Sequence, residues 1–125
     1  MTCFIIDTTG DLAYLALAKQ GTVILQTLLQ EGRQLSKFLL PSIQDLLQGA
    51  PPAFIAIGTG PGSFTGSRVG GMVASSLAYA WQIPLIAFSS TLLPDLDQIA
   101  AITYQKFLLG ETASQLELVY ISSSP

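Results

Sequence analysis

The chain has 125 residues, of which half are hydrophobic and only 10% are charged, with a net charge of −3 and no histidine. The length predicts one domain or one lobe of a larger architecture, and five Lys and Arg residues are too few for an independent nucleic-acid-binding surface. The lack of histidine removes the commonest general base and the commonest zinc ligand, and we expect no metal site. We also expect a buried thiol at Cys3, no signal peptide, no membrane span and a cytoplasmic location.

Three strands joined by tight turns are predicted first, because residues 3–6, 12–18 and 22–29 are apolar runs rich in β-forming residues. Helical spacing then predicts a helix over residues 35–47, in which Pro41 marks either a first turn or a kink. The later runs predict a strand at 54–57, a helix from about 67 to 81, a strand at 85–88, a helix at 96–109 and a strand at 116–121.

Strand, strand, strand, helix, strand, helix, strand is the element order of a ribonuclease-H-like lobe, the building block of the actin-like ATPase fold. We therefore predict an α/β chain in which a mixed sheet is packed with helices.

A glycine-rich segment runs from Gly58 to Gly71, between the fourth strand and the second helix. Its glycines permit positive φ and close backbone approach, so the segment is either a structural turn or a phosphate contact at a helix N-terminus. It is not a P-loop, because no lysine follows the final glycine. An aspartate ending the first strand is likewise a turn former or a nucleotide ligand. The candidate phosphate contacts are Asp7, Thr9, Gly60, Gly62 and Ser63.

Two predicted helices have faces that indicate close packing. Small residues recur four apart on the second helix, and they favour close contact with either the chain's own sheet or a partner helix. Apolar residues of the first helix spread over roughly 200° of its circumference, twice what one core-facing stripe needs. We therefore predict that the first helix is covered by the domain and by another chain. The predicted partner interface comprises Leu35, Phe38, Leu39, Leu40, Ile43, Gly70, Ala74, Ser75 and Ala78.

Residues 60–66, followed by Arg68, Val69 and Gly70, resemble the signature of the TsaB (YeaZ) family. Residues 5–8, 39–43, 83–86 and 89–90 extend the resemblance, which runs from about residue 2 to residue 93. It implies an actin-like ATPase fold with a degenerate ATP site, no activity or cofactor of its own, and association with TsaD. TsaD is the enzyme that moves a threonylcarbamoyl group onto adenosine in tRNA. Pairing through helices of the N-terminal lobe, with TsaD or with a second copy, is also implied, so tRNA is met only through the complex.

The chain departs from the family pattern in three places. Gly32, Arg33 and Gln34 replace a His-Ser-Glu-like segment, and Ser67 replaces an apolar residue. The third departure is the second lobe of the family, which we expect to be missing because only residues 95–125 stand where it should begin. Residues 1–93 are therefore predicted to form the N-terminal lobe, and residues 94–125 a C-terminal extension that replaces the second lobe. The alternative function is a degenerate ATPase or phosphotransferase lobe that binds a nucleotide. A peptidase is a third alternative, but the chain offers Ser63 and Thr65 no histidine base.

Overall fold

The structure is a computed structural model that describes residues 1–30, 33–62 and 64–112, with the side chains of residues 30–36 and 63–67 also outside the described part. The predicted element order is confirmed, with most boundaries within one or two residues of the expected ones, and the predicted strand at 116–121 lies outside the described residues. The elements are β1 (Thr2–Asp7), β2 (Leu12–Lys19), β3 (Thr22–Gln30), α1 (Arg33–Leu47), β4 (Phe54–Gly58), α2 (Phe64–Trp81), β5 (Leu85–Phe88) and α3 (Leu96–Leu108).

The five strands form one mixed sheet in the order β3-β2-β1-β4-β5. Strand β1 pairs antiparallel with β2 and parallel with β4, while β2–β3 is antiparallel and β4–β5 is parallel. Gln20 and Gly21 join β2 to β3 with φ of 50° and 84°, as a two-residue hairpin turn with two positive φ angles requires. This mixed sheet is the one expected for a ribonuclease-H-like lobe.

Both faces of the sheet are buried, which explains why β1 is apolar at successive positions. Phe4 and Ile6 face the layer of α1 and α2, while Cys3 and Ile5 face α3. The Phe54 and Phe107 rings stack with their centroids 4.6 Å apart and hold the end of α3 against β4. The result is a three-layer arrangement with the sheet in the middle.

Helix α3 begins just beyond residue 93, where the sequence predicts a boundary. The carboxylate of Asp95 caps it by accepting the backbone N–H of Gln98 at 3.0 Å. Its side chains Leu96, Ile99 and Ala100 are buried against the sheet, so α3 shares one core with β1, β4 and β5.

Helix α1 runs through Pro41, which lies inside the helix and not in its first turn. Helix α2 begins at Phe64, three residues before the predicted start. None of the helices in the described part of the chain is both long and apolar enough to span a membrane.

Candidate functional site

The carboxyl ends of β1, β4 and β5 meet at one edge of the sheet because these three strands are parallel. Asp7 ends β1 there, and its side chain is completely buried. Its Oδ1 accepts the backbone N–H of Thr9 at 2.8 Å and the hydroxyl of Thr9 at 2.6 Å. Its Oδ2 accepts the hydroxyl of Ser90 at 2.6 Å. A carboxylate can be buried at acceptable cost when donors of this kind surround it.

Ser90 connects Asp7 to the glycine-rich segment. While its hydroxyl donates to Asp7, the same oxygen accepts the backbone N–H of Gly60 at 2.9 Å. The backbone N–H of Ser90 donates to the carbonyl oxygen of Gly60 at 3.0 Å. Ser90 is not among the site residues predicted from the sequence. Its position two residues after β5 is the signal that could have placed it beside Asp7, since the parallel strands end together.

Three glycines pack against three consecutive residues, namely the last residue of β1 and the two that follow it. A Cβ atom on Gly58 would lie 2.9 Å from the Cβ of Asp7, and one on Gly62 would lie 2.6 Å from the Cβ of Thr9. On Gly70, the added Cβ would lie 3.1 Å from the Cγ2 of Thr8 and closer still to its Oγ1. The glycines are therefore required because residues 7–9 of the same chain occupy the space that side chains would fill.

The candidate phosphate contacts Asp7, Thr9, Gly60 and Gly62 are brought together, whereas Ser63 lies outside the described residues. These four residues are held by contacts within the chain. The carboxylate of Asp7 is buried among donors from its own chain, and the backbone of Gly62 lies against Thr9. Within the described ranges, no three His, Cys, Asp or Glu side chains cluster as metal ligands would. Of the two interpretations of the glycine-rich segment, this geometry favours a structural turn.

Much of the predicted partner interface is occupied by the chain's own core. Leu39, Ile43, Ala74 and Ala78 are buried between the helices and the sheet, and Gly70 lies against Thr8. Ser75 is also buried. The small residues let α2 lie close to its own sheet, so these six positions are in contact with the chain's own core, and their contact with a partner stays a prediction. The side chain of Leu35 lies outside the described part.

The outer sides of α1 and α2 carry exposed apolar side chains. Phe38 is 43% exposed, Leu40 is 49% exposed and Met72 is 61% exposed. A groove of about 390 Å³ runs between the helices and is lined by Leu40, Met72, Val73, Ser76, Leu77 and Ala80. It adjoins a second hollow of about 420 Å³, which shares Leu40 and Leu77 with it and extends to Trp81. Exposed apolar surface of this kind indicates an interaction site.

We call the two hollows together the α1–α2 groove. Met72 lies on its rim and was not among the predicted interface residues, because it falls outside the stripe of small residues on α2. Its exposure to solvent, and not its spacing along the helix, identifies it.

Comparison with known proteins gives consistent matches. The family model described as TsaD, tRNA N6-adenosine threonylcarbamoyltransferase, matches residues 29–93, which is just over half of the chain. The tRNA threonylcarbamoyladenosine biosynthesis protein TsaB of Bacillus subtilis is 34% identical over 95 residues, covering 72% of this chain and 42% of that protein. TsaB of Escherichia coli is 35% identical over 95 residues, covering 72% of this chain and 41% of that protein. The chain thus spans about two-fifths of the length of these relatives.

Solved structures give the same fold. YeaZ from Pseudomonas aeruginosa superposes with a TM-score of 0.63 at 35% identity, covering 70% of this chain and 43% of that one. RuvC of T. thermophilus, solved with a Holliday junction substrate, superposes over 98% of this chain and 88% of its own with a TM-score of 0.52. At 13% identity, the RuvC match shows the ribonuclease-H-like fold alone.

Proposed function

Because the chain belongs to the TsaD family of tRNA N6-adenosine threonylcarbamoyltransferases and is a homologue of the TsaB (YeaZ) proteins, we propose that it is a non-catalytic partner of a TsaD-type enzyme. In this role it binds the enzyme and supports the formation of threonylcarbamoyladenosine in tRNA. The enzyme performs the chemistry, and the chain meets tRNA only through the complex. Such a role places the protein in the cytoplasm, where tRNA is modified.

The single observation that carries this proposal is the exposed α1–α2 groove. Leu40 and Met72 are large apolar side chains about half or more in solvent, on two adjacent helices that present their outer sides together. An apolar groove between two helices suits a helix of a partner, whose apolar face can fill it. A second copy of the chain could occupy the same groove when the enzyme is absent.

Two further observations favour an accessory role over catalysis. Asp7, one of the candidate phosphate contacts, is completely buried and accepts hydrogen bonds from Thr9 and Ser90. The chain also has only five basic residues, so it has little with which to hold tRNA phosphates by itself.

The proposal is tested by combining co-purification with an assay of the modified nucleoside. Tagged chain should retain the TsaD-type protein from the same cells, and cells without the chain should contain less threonylcarbamoyladenosine in their tRNA. Re-expression of the wild-type chain should restore the nucleoside, whereas a Met72→Glu variant should not. A Gln105→Glu variant is the control, because it adds the same charge to an exposed position of α3 on the other face of the sheet. Normal nucleoside levels without the chain, together with no retained enzyme, would refute the proposal.

A further inference from the structure

The two edges of the sheet differ in how well they are protected. Strand β5 has only four residues, and the Lys106 ammonium group donates to the carbonyl oxygen of Ala87 on it at 3.1 Å. Strand β3 has nine residues, with the sequence TVILQTLLQ, and contains neither a charged residue nor a proline. In the part of the chain that the structure describes, β2 is the one strand paired with it. Short length, lysine, proline and bulges are the usual protection of sheet edges, and of these β3 has only one register irregularity in its pairing with β2.

Apolar side chains are exposed on both faces of β3. Leu25 is 48% exposed and pairs with Leu17, which packs on the α1–α2 side of the sheet. Leu28 is 51% exposed and pairs with Tyr14, which packs on the α3 side. One irregularity in the register lies between Leu17 and Ala18, and it leaves residues 25–30 regularly paired with β2. This regular segment can therefore offer its outer N–H and C=O groups to another strand.

We propose that β3 pairs antiparallel with β3 of a second copy of this chain, so that two five-stranded sheets join across a twofold axis. This surface is separate from the α1–α2 groove, and the inference does not depend on the proposed function. Charge favours a second copy as the occupant. A twofold axis brings any charge near the centre of the strand close to its own copy, and like charges on facing strands repel. An uncharged strand avoids this repulsion completely, and β3 is such a strand.

The size of the contact sets its strength. A strand of nine residues is well below the about 20–30 residues a side of a standard interface. The dimer is therefore weak and its population depends on concentration. Leu25 and Leu28 would each lose solvent exposure in it, on opposite faces of the joined sheet.

The test is sedimentation of the full chain over a range of roughly 1 to 500 µM, a range in which micromolar association is visible. The wild-type chain should pass from monomer to dimer. Leu28→Lys should weaken dimerisation at least tenfold, and Leu25→Lys should do so as well from the other face. Leu109→Lys is the matched control, since it puts the same charge on an exposed apolar position at the end of α3, and it should dimerise as the wild type does. Met72→Lys tests the α1–α2 groove as the alternative contact. Circular dichroism melting identifies any variant that fails to fold.

Hydrogen exchange distinguishes this edge from other dimer surfaces. The backbone amides of residues 25–30 should exchange more slowly at high than at low protein concentration. If the chain stays monomeric over the whole concentration range, the proposal is wrong. A dimer that Met72→Lys weakens and Leu28→Lys does not would overturn it too, because the groove would then be the contact.

Discussion

Replacing Gly70 with alanine tests whether the small face of α2 serves the chain's own fold. Alanine in place of glycine normally stabilises a helix by about 1 kcal/mol. At this position the new methyl group would lie 3.1 Å from the Cγ2 of Thr8 and closer still to its Oγ1. Cβ atoms in proteins are rarely found so close to other atoms, so either Thr8 or the helix must move. We therefore expect Gly70→Ala to destabilise the protein.

The size of the effect follows from how firmly Thr8 is held. Its neighbours are fixed on both sides, because Asp7 accepts the hydroxyl of Ser90 and Thr9 lies against Gly62. Overpacking a site that cannot relax costs about 2–3 kcal/mol, the upper part of the usual range. Subtracting the gain in helix propensity of about 1 kcal/mol leaves a net loss of about 1–2 kcal/mol. For a domain of this size, that loss lowers the melting temperature by roughly 4–8 °C.

Thermal and urea unfolding of Gly70→Ala should be compared with Ser76→Ala, an exposed position on the same helix that should change stability by less than about 0.5 kcal/mol. Thr8→Ala removes both the Oγ1 and Cγ2 atoms, so the double variant should recover at least about 1 kcal/mol relative to additivity. If Gly70→Ala instead raises the melting temperature, Thr8 does not pack on Gly70. Unchanged stability with lost partner binding would mean that the small face serves a partner helix.

Three further predictions concern the contact of Ser90 with Asp7, the buried thiol of Cys3 and the binding of nucleotide. Ser90→Ala should lower the free energy of unfolding in urea by about 2–3 kcal/mol, because the buried carboxylate of Asp7 loses a charge-assisted hydrogen bond, and a loss below about 0.5 kcal/mol would contradict this account. Burial raises the pKa of the Cys3 thiol from 9.0 to about 12, so the unfolded chain loses the thiol proton first and stability falls as pH rises from about 9 towards 12. Wild type should thus lose about 1.4 kcal/mol between pH 8 and pH 10 relative to Cys3→Ala, and parallel pH profiles would show that Cys3 is not buried. Magnesium and ATP should leave the melting temperature unchanged, whereas a site filled at 100 times its dissociation constant would add about 2.7 kcal/mol of stability.

Most of the fold can be predicted from the sequence because the signals for its helices and strands are local. Residues 85–88 form β5 with the predicted boundaries, since an apolar run between Pro84 and two serines leaves little choice. Helix α2 begins three residues before its predicted start, because the glycines of the preceding loop carry no helical signal. Strand β1 extends to Asp7, beyond the apolar run, because pairing with Tyr14 continues there. That extension depends on a partner strand and not on the residue itself.

Less of the candidate site can be predicted from the sequence, because its contacts join residues that are far apart along the chain. The stripe of small residues on α2 predicts close packing, but helical spacing cannot tell whether the contact is Thr8 of the same chain or a partner. The fold buries only part of the wide apolar face of α1. Leu39 and Ile43 are buried, whereas Phe38 and Leu40 are exposed to solvent. Covering of the outer side by another chain stays a prediction.

The most direct test of the central claim is calorimetric titration of the full chain with the TsaD-type enzyme of the same cells. The account predicts binding that Met72→Glu weakens at least about thirtyfold, since a carboxylate buried without a partner in an apolar contact costs about 2 kcal/mol or more. Gln105→Glu should bind as the wild type does. No heat of binding with the wild-type chain, or equal affinities for the two variants, would contradict the assignment of the α1–α2 groove as the docking site.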